Sequence, residues 1–174
     1  MRWVLIVLGS VVALVVLIAL IGAFLPREHV ATSTITLRQT PDSVWKVIRD
    51  FGAITTWWPD MKESARLPDQ SGQEAWRQKV SGFDMPLVVM ESSPPRRLVT
   101  KIDAGNKAVF GGTWTYELTP NAGGTRISVT EAGWIRNPIF RFLSRFAFGY
   151  YGSLDGYLTA LSRKFGEDVK PIHS

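Results

Sequence analysis

Residues 3–25 run for 23 positions without a charged side chain. A helix rises about 1.5 Å per residue, so such a run is long enough to cross a hydrocarbon core of roughly 30 Å. Val, Leu, Ile and Ala fill it, and Gly9, Ser10 and Gly22 are tolerable in lipid. Pro26 stops it, because proline lacks the amide donor and collides with the preceding turn. Arg27, Glu28 and His29 follow. A cleaved signal peptide is the competing expectation. Its apolar stretch is shorter, roughly 7–15 residues, and ends with small residues three and one before the cut. Ala23 fits one of those positions, but Ile21 occupies the other, and no cysteine is present to carry a lipid anchor. The expected organisation is a transmembrane anchor at 1–27 and one domain at 28–174, a single-pass membrane protein. Basic residues nearly balance across the anchor, Arg2 and the amino group against Arg27 and Arg38. The short N-terminal tail has the form of an uncleaved signal anchor, which would put the domain outside the cytoplasm.

The 148 residues from 27 onward are a usual size for one domain and can bury a core without staples. All 15 acidic residues and all but one of the 20 Lys and Arg lie there, leaving about +4, mildly basic and dispersed. That suits an anionic membrane surface and carries no nucleic-acid footprint. Cysteine is absent and histidine occurs twice, at His29 beside the apolar run and His173 next to the end. Neither falls on an expected inward face. Thiolate chemistry, a Ser-His-Asp arrangement and a zinc or iron site therefore lack their ligands, and no cofactor is expected.

Periodicity supplies the elements. In residues 31–37, Ala31, Ser33, Ile35 and Leu37 share one face, and Thr32, Thr34 and Thr36 the other, as in a half-buried strand. Thr40-Pro41-Asp42 opens a helix as cap, first-turn proline and first-turn acid, with Val44, Val47, Ile48 and Phe51 as its apolar stripe. A short second helix follows at about 53–57. Six strands are then predicted at roughly 62–67, 73–81, 86–92, 97–103, 108–119 and 124–134, separated by Gly- and Pro-containing gaps, including a turn at 103–106. Residues 138–167 repeat apolar positions at three and four, which predicts one long amphipathic helix weakened by Gly149, Gly152 and Gly156. Short connections favour an antiparallel sheet, and its concave face is where that helix can bury its stripe.

Several ordered segments resemble the START/polyketide-cyclase (SRPBCC) superfamily over about residues 30–168. They are Thr40-Pro41-Asp42-Ser43-Val44-Trp45, Asp50-Phe51 with Trp57-Trp58-Pro59, and Pro94-Pro95-Arg96-Arg97-Leu98. The hairpin Gly112-Thr113-Trp114-Thr115-Tyr116-Glu117-Leu118-Thr119-Pro120 with Gly124-Thr125-Arg126 completes the set. The resemblance implies an α+β helix-grip fold: a curved antiparallel sheet of about seven strands wrapped on a long C-terminal helix, here preceded by one transmembrane helix. It leaves the ligand open, since the family holds lipid carriers and cyclases alike.

Candidate chemistry follows from parity. Ile127 and Val129 face inward on the last strand, and Glu131 continues their phase, where a carboxylate needs a hydrogen-bond partner. It is the one weak catalytic candidate; otherwise it anchors a ligand or turns to solvent. Trp76, Trp114 and Tyr116 from the sheet and Phe146, Tyr150 and Leu154 from the helix are expected cavity-wall residues, with Trp57 and Trp58 at the rim. Glu91 cannot be placed by parity, because residues 87–90 are apolar on both faces. Arg136, Arg141 and Arg145 read as a solvated helix face or as contacts to anionic lipid.

The expected function is a membrane-tethered binding or transfer protein for a hydrophobic small molecule or lipid. A cyclase or dehydratase using Glu131, and an interaction module with a filled core, are the alternatives. The anchor generates the first prediction: the full-length chain stays in the membrane pellet through high-salt and carbonate washes, because burying 23 apolar residues outweighs surface electrostatics. Recovery of soluble full-length protein would defeat it, and a mature chain beginning after Ala23 would establish a cleaved signal instead.

Overall fold

The computed structural model describes residues 2–102, 105 and 108–174. The fold is α+β and of the helix-grip type. Helix α1 (Arg2–Phe24) passes through residues 25–27 into strand β1 (Glu28–Leu37). Helix α2 (Pro41–Arg49) and a 3₁₀ turn at Ile54–Thr56 follow. Strands β2 (Met61–Gln70), β3 (Gln73–Val80), β4 (Phe83–Ser93), β5 (Arg97–Ile102), β6 (Phe110–Asn121) and β7 (Gly124–Ile135) come next. Helices α3 (Pro138–Leu143) and α4 (Gly152–Lys164) and a two-residue strand β8 (Ile172–His173) complete the chain. The described strands form one antiparallel sheet in the order β2-β3-β4-β5-β6-β7-β1-β8. The predicted turn at 103–106 lies outside the described residues except for Gly105.

Local chemistry explains most boundaries. Thr40 caps α2 by accepting from the Ser43 amide at 3.3 Å, and Asn137 caps α3 by accepting from the Phe140 amide at 3.1 Å. Proline occupies the first turn of both helices. Strand β2 runs through Pro68, which is tolerated because β2 is an edge strand with a register shift between Leu67 and Gln70. Strand β1 begins three residues earlier than expected, since Glu28, His29 and Val30 pair with Trp134, Gly133 and Ala132 of β7.

One expectation fails. Residues 138–167 are not a single long helix. α3 ends in a π-helical turn at Ser144–Phe148, and Gly149 then takes φ +74°, a left-handed conformation that glycine adopts without a side-chain penalty. α4 is the part gripped by the sheet, packing on β1 and β7, while α3 meets β7 near where the chain leaves that strand.

α3 instead packs along α1, covering the stripe Ile18, Ala19, Gly22 and Leu25. The approach at Gly22 is close enough that a Cβ there would fall 1.9 Å from the Pro138 carbonyl oxygen. Arg141, predicted on a solvated or lipid-facing helix face, is 6% exposed. Its Nη1 donates to the carbonyls of Leu25 at 2.8 Å and Ala23 at 3.4 Å, and Nη2 donates to that of Arg136 at 3.5 Å. A guanidinium there satisfies carbonyls left open at the end of α1 and meets the negative end of its dipole. The Ile135 amide donates to the Arg27 carbonyl at 2.8 Å, tying the connection to β7 as well.

Tyr157 of α4 is the centre of the core. Its ring meets Trp57, Trp58, Trp114 and Tyr116 edge-on at centroid distances of 5.4, 5.1, 5.7 and 5.6 Å. Tyr116 shares hydrogen bonds with Thr100 and Tyr157. Burial drives both phenols well above their ordinary pKa, so both stay neutral. Tyr157→Ala is expected to lower unfolding free energy by about 3–5 kcal/mol, as for other large-to-small aromatic truncations. Tyr157→Phe keeps the ring and loses one hydrogen bond, at a cost of about 1 kcal/mol. Urea unfolding of the full chain in mild detergent, followed by tryptophan fluorescence, measures both; equal losses would show that the hydroxyl rather than the ring holds the cluster.

Candidate functional site

Because Tyr157 fills the middle of the grip, open space remains at one end of it. A half-open cleft of about 280 Å³ lies between the sheet and the interrupted C-terminal helical segment. Trp58 and Trp114 form its floor, while Phe110, Trp134, Phe140 and Tyr150 border its upper part. Beneath the floor is a void of about 40 Å³ that shares Trp58, Val80, Met85, Ile102 and Trp114 with the cleft and reaches Tyr116 and Thr100. That inner space holds about three waters at most, since one water needs roughly 10–15 Å³. The outer cleft lies just below the roughly 300–1,000 Å³ of common small-molecule sites. Trp58 borders both spaces, and its buried Nε1 has no hydrogen-bond partner among the described residues. An acceptor on a bound molecule or a water would satisfy it.

The cleft wall carries one polar cluster. Glu131 keeps the inward phase of Ile127 and Val129 on β7. Trp114 Nε1 donates to Glu131 Oε2 at 3.1 Å, and Ser153 Oγ donates to the same oxygen at 3.4 Å. His29 Nε2 lies 3.3 Å from Oε1, and its ring stacks on Tyr150 with centroids 4.3 Å apart. The His29 and Glu131 side chains are 10% and 22% exposed, so the pair is shielded yet reachable from the cleft. Gly133, opposite His29 in the β1–β7 register, makes room for it. A Cβ at Gly133 would lie 2.5 Å from the His29 ring and 3.0 Å from Glu131 Oε1. The arrangement offers a fixed carboxylate acceptor beside an imidazole that can donate or accept, set in apolar walls. Such a pair can hold a hydroxyl or amide of a bound molecule, or pass a proton to it.

The remaining predicted site residues separate. Trp58, Trp114, Glu131 and Tyr150 border the cleft, and Tyr116 borders the inner void. Ile127, Val129 and Leu154 are fully buried in the core and do not border the cleft. Trp57 packs on Tyr157 and borders a shallow hollow with Asp155 instead. Trp76 lies against Phe51 at 5.6 Å and donates from Nε1 to Glu74 at 2.7 Å, away from the cleft. Burial opposes ionisation of Glu74, but hydrogen bonds from Arg49 and Trp76 and the charges of Arg49 and Arg66 outweigh it, holding the carboxyl below its usual range. Phe146 is 62% exposed and meets Phe142 at 4.9 Å. Its predicted inward position came from carrying one helical period across the break before Gly149, where the phase is lost. Glu91 is a surface acid, accepting from Ser93 and Arg97 at 3.1 Å each.

His29 is a correction in the other direction. The alternation of Ala31, Ser33, Ile35 and Leu37, extended two residues back, puts it on the inward face, and ending the strand at 31 concealed it. His173 is also structured, in β8. Asp155 accepts from Ser33 Oγ at 2.7 Å and lies 2.8 Å from His173 Nε2. The carboxylate sits between serine and histidine, so the imidazole does not touch the hydroxyl and cannot take its proton. Ser33 is also fully buried. The trio ties β8 and α4 to β1. Among the described residues no group of three or more His, Cys, Asp or Glu could hold a metal ion.

Residues 28–163 match the family described as polyketide cyclase/dehydrase and lipid transport. Solved structures agree on the fold. A START superfamily protein from Mycobacterium smegmatis is 16% identical with a TM-score of 0.60, covering 78% of this chain and 96% of its own. A conserved protein from Geobacillus kaustophilus is 14% identical with a TM-score of 0.62, covering 83% of this chain and 100% of its own. The di-domain aromatase/cyclase StfQ of the steffimycin biosynthetic pathway is 12% identical with a TM-score of 0.61; the match covers 80% of this chain and about half, 52%, of StfQ. No curated protein matches the chain.

The Gly133 contact supplies a test of the cluster. Gly133→Ala is expected to push His29 off Tyr150 and away from Glu131, visible as shifted His29 imidazole signals in NMR spectra. Gly123→Ala, at a glycine with open space around it, leaves them in place. Unchanged signals in Gly133→Ala would show that the pair is not held by this close approach.

Proposed function

The chain belongs to the polyketide cyclase/dehydrase and lipid transport family, and from that premise we propose a membrane-tethered binding or transfer protein for one hydrophobic small molecule or lipid chain. The observation that carries this is the 280 Å³ cleft, apolar in most of its lining and open on one side, with Glu131 and His29 at its wall. Its volume suits one small apolar molecule or one end of a lipid, not a lipid enclosed whole. Glu131, His29 and the unpartnered Trp58 Nε1 give a polar end of that ligand three places to bond. α1 supports the tether: it has mean hydropathy 3.3, and its apolar window is not buried in the protein. A single span at that helix holds the cleft where apolar molecules partition.

One observation favours a second reading, a cyclase or dehydratase. A carboxylate and an imidazole 3.3 Å apart on a cleft wall are a competent proton-transfer pair. The binding reading takes precedence because the same pair, already engaged by Trp114 and Ser153, fits a fixed hydrogen-bonding anchor.

Two measurements test the proposal. Native mass spectrometry of the full chain released from mild detergent is expected to show a bound apolar molecule. Fluorescent apolar probes with and without a terminal hydroxyl then separate the roles. Glu131→Gln should leave affinity for the wholly apolar probe unchanged and weaken the hydroxylated one by up to about tenfold, the net worth of one hydrogen bond. Absence of both bound lipid and probe binding would sink the proposal and favour an interaction module. Turnover of a polyketone that is lost in Glu131→Gln while binding persists would favour the enzyme.

A further inference from the structure

From the packing of α3 on α1 we infer that α3 and the π-helical turn after it form a second membrane-embedded element, and that the cleft opens through it onto lipid. The inference rests on the proposed membrane span of α1. α3 covers α1 from Ile18 to Leu25, about 10 Å at one end of a helix about 35 Å long. With α1 across a bilayer whose core is roughly 30 Å thick, that stretch lies at the edge of the hydrocarbon. α3 lies there too, because Gly22 and Pro138 are in contact and Arg141 bonds the carbonyls of Ala23 and Leu25.

The composition of the segment fits that level. Residues 132–154 contain no Asp or Glu. Phe140, Phe146 and Phe148 are 38%, 62% and 68% exposed, a cluster of aromatic surface that water would not cover favourably. Arg141 directs Nη1 and Nη2 to backbone carbonyls inside the protein, and Arg145 is exposed, on a side chain long enough to reach headgroups. Aromatics with arginines and no acid suit an anionic bilayer interface. The backbone permits it, since a helix and a π-helical turn satisfy most of their own polar groups.

The consequence for the site is direct. Phe140 and Ser144 belong to this segment, Gly149 directly follows it, and all three border the cleft. The cleft mouth therefore faces the leaflet, and a ligand enters sideways from lipid without crossing water.

The chain has no cysteine, so single cysteines can be placed at will. Val12→Cys in the middle of α1, Phe146→Cys, Phe148→Cys and Thr36→Cys at the far end of β1 would each be labelled with an environment-sensitive fluorophore. The full-length variants are reconstituted in phosphatidylcholine–phosphatidylglycerol vesicles with or without lipids carrying an acyl-chain nitroxide. Expected is loss of most emission at positions 12, 146 and 148 and none at 36. Quenching at 12 with positions 146 and 148 behaving like 36 would overturn the inference while leaving the anchor standing. No quenching at 12 would overturn the anchor and the inference together. The portal has its own readout, because Phe146 and Phe148 do not border the cleft. The double variant Phe146→Ser, Phe148→Ser should slow uptake of an apolar probe from vesicles severalfold at unchanged affinity. An unchanged uptake rate would overturn entry through this element.

Discussion

The edge-on contacts of Tyr157 with four aromatic rings decide what this fold can contain. A curved sheet closed on a helix encloses a space, and side chains either fill it or leave it for a ligand. Here Tyr157 occupies the middle, drawing Trp57 and Trp58 from the turn after α2 and Trp114 and Tyr116 from β6 onto one ring. Aromatic pairs in this geometry add stability beyond their burial. The open volume is displaced to the end where the C-terminal segment changes direction, and only a small void survives beneath Trp58 and Trp114. The position of the cleft, its size and its polar wall follow from that filling.

The polar wall shows how a partly buried acid is accommodated with an imidazole as its basic partner and no lysine or arginine paired with it among the described residues. Glu131 faces inward because strand parity requires it. Indole, hydroxyl and imidazole groups from β6, α4 and β1 converge on its two oxygens. Three elements far apart in sequence thus meet at one carboxylate, and the absent side chain of Gly133 is as necessary as the side chains present. In the proposed binding reading, ligand recognition and local packing share the same atoms.

Much of this was legible in the residues. Period-two alternation located the strands because one face is buried and the other is wet, so β1, β6 and β7 came out with their inward residues correct. The inward direction of Glu131 follows from the same rule. Thr40-Pro41 carries a helix start in its chemistry, and the last helical segment starts at Pro138 as its periodicity predicts. What parity could not show was the fate of residues 138–167. Gly149 interrupts a pattern that otherwise continues, and spacing alone does not reveal a left-handed φ. Phe146 was misplaced for that reason, and Ile127, Val129 and Leu154 were inward but belong to the filled core. His29 was hidden by its neighbourhood, since a residue four places after an apolar run reads as flanking sequence. The role of Arg141 was invisible, because capping α1 is a contact between residues over a hundred positions apart.

The connection between α1 and β1 is three residues, Leu25, Pro26 and Arg27, and the last is bonded to Ile135. Fully extended, three residues span only about 10 Å. With α1 held in a bilayer, the domain has no arm on which to travel. Under the proposed tether, a membrane-bound donor or acceptor of the proposed ligand would meet it by sliding within the same sheet of lipid, so the encounter would become a search in two dimensions, governed by lateral diffusion and surface density rather than bulk concentration.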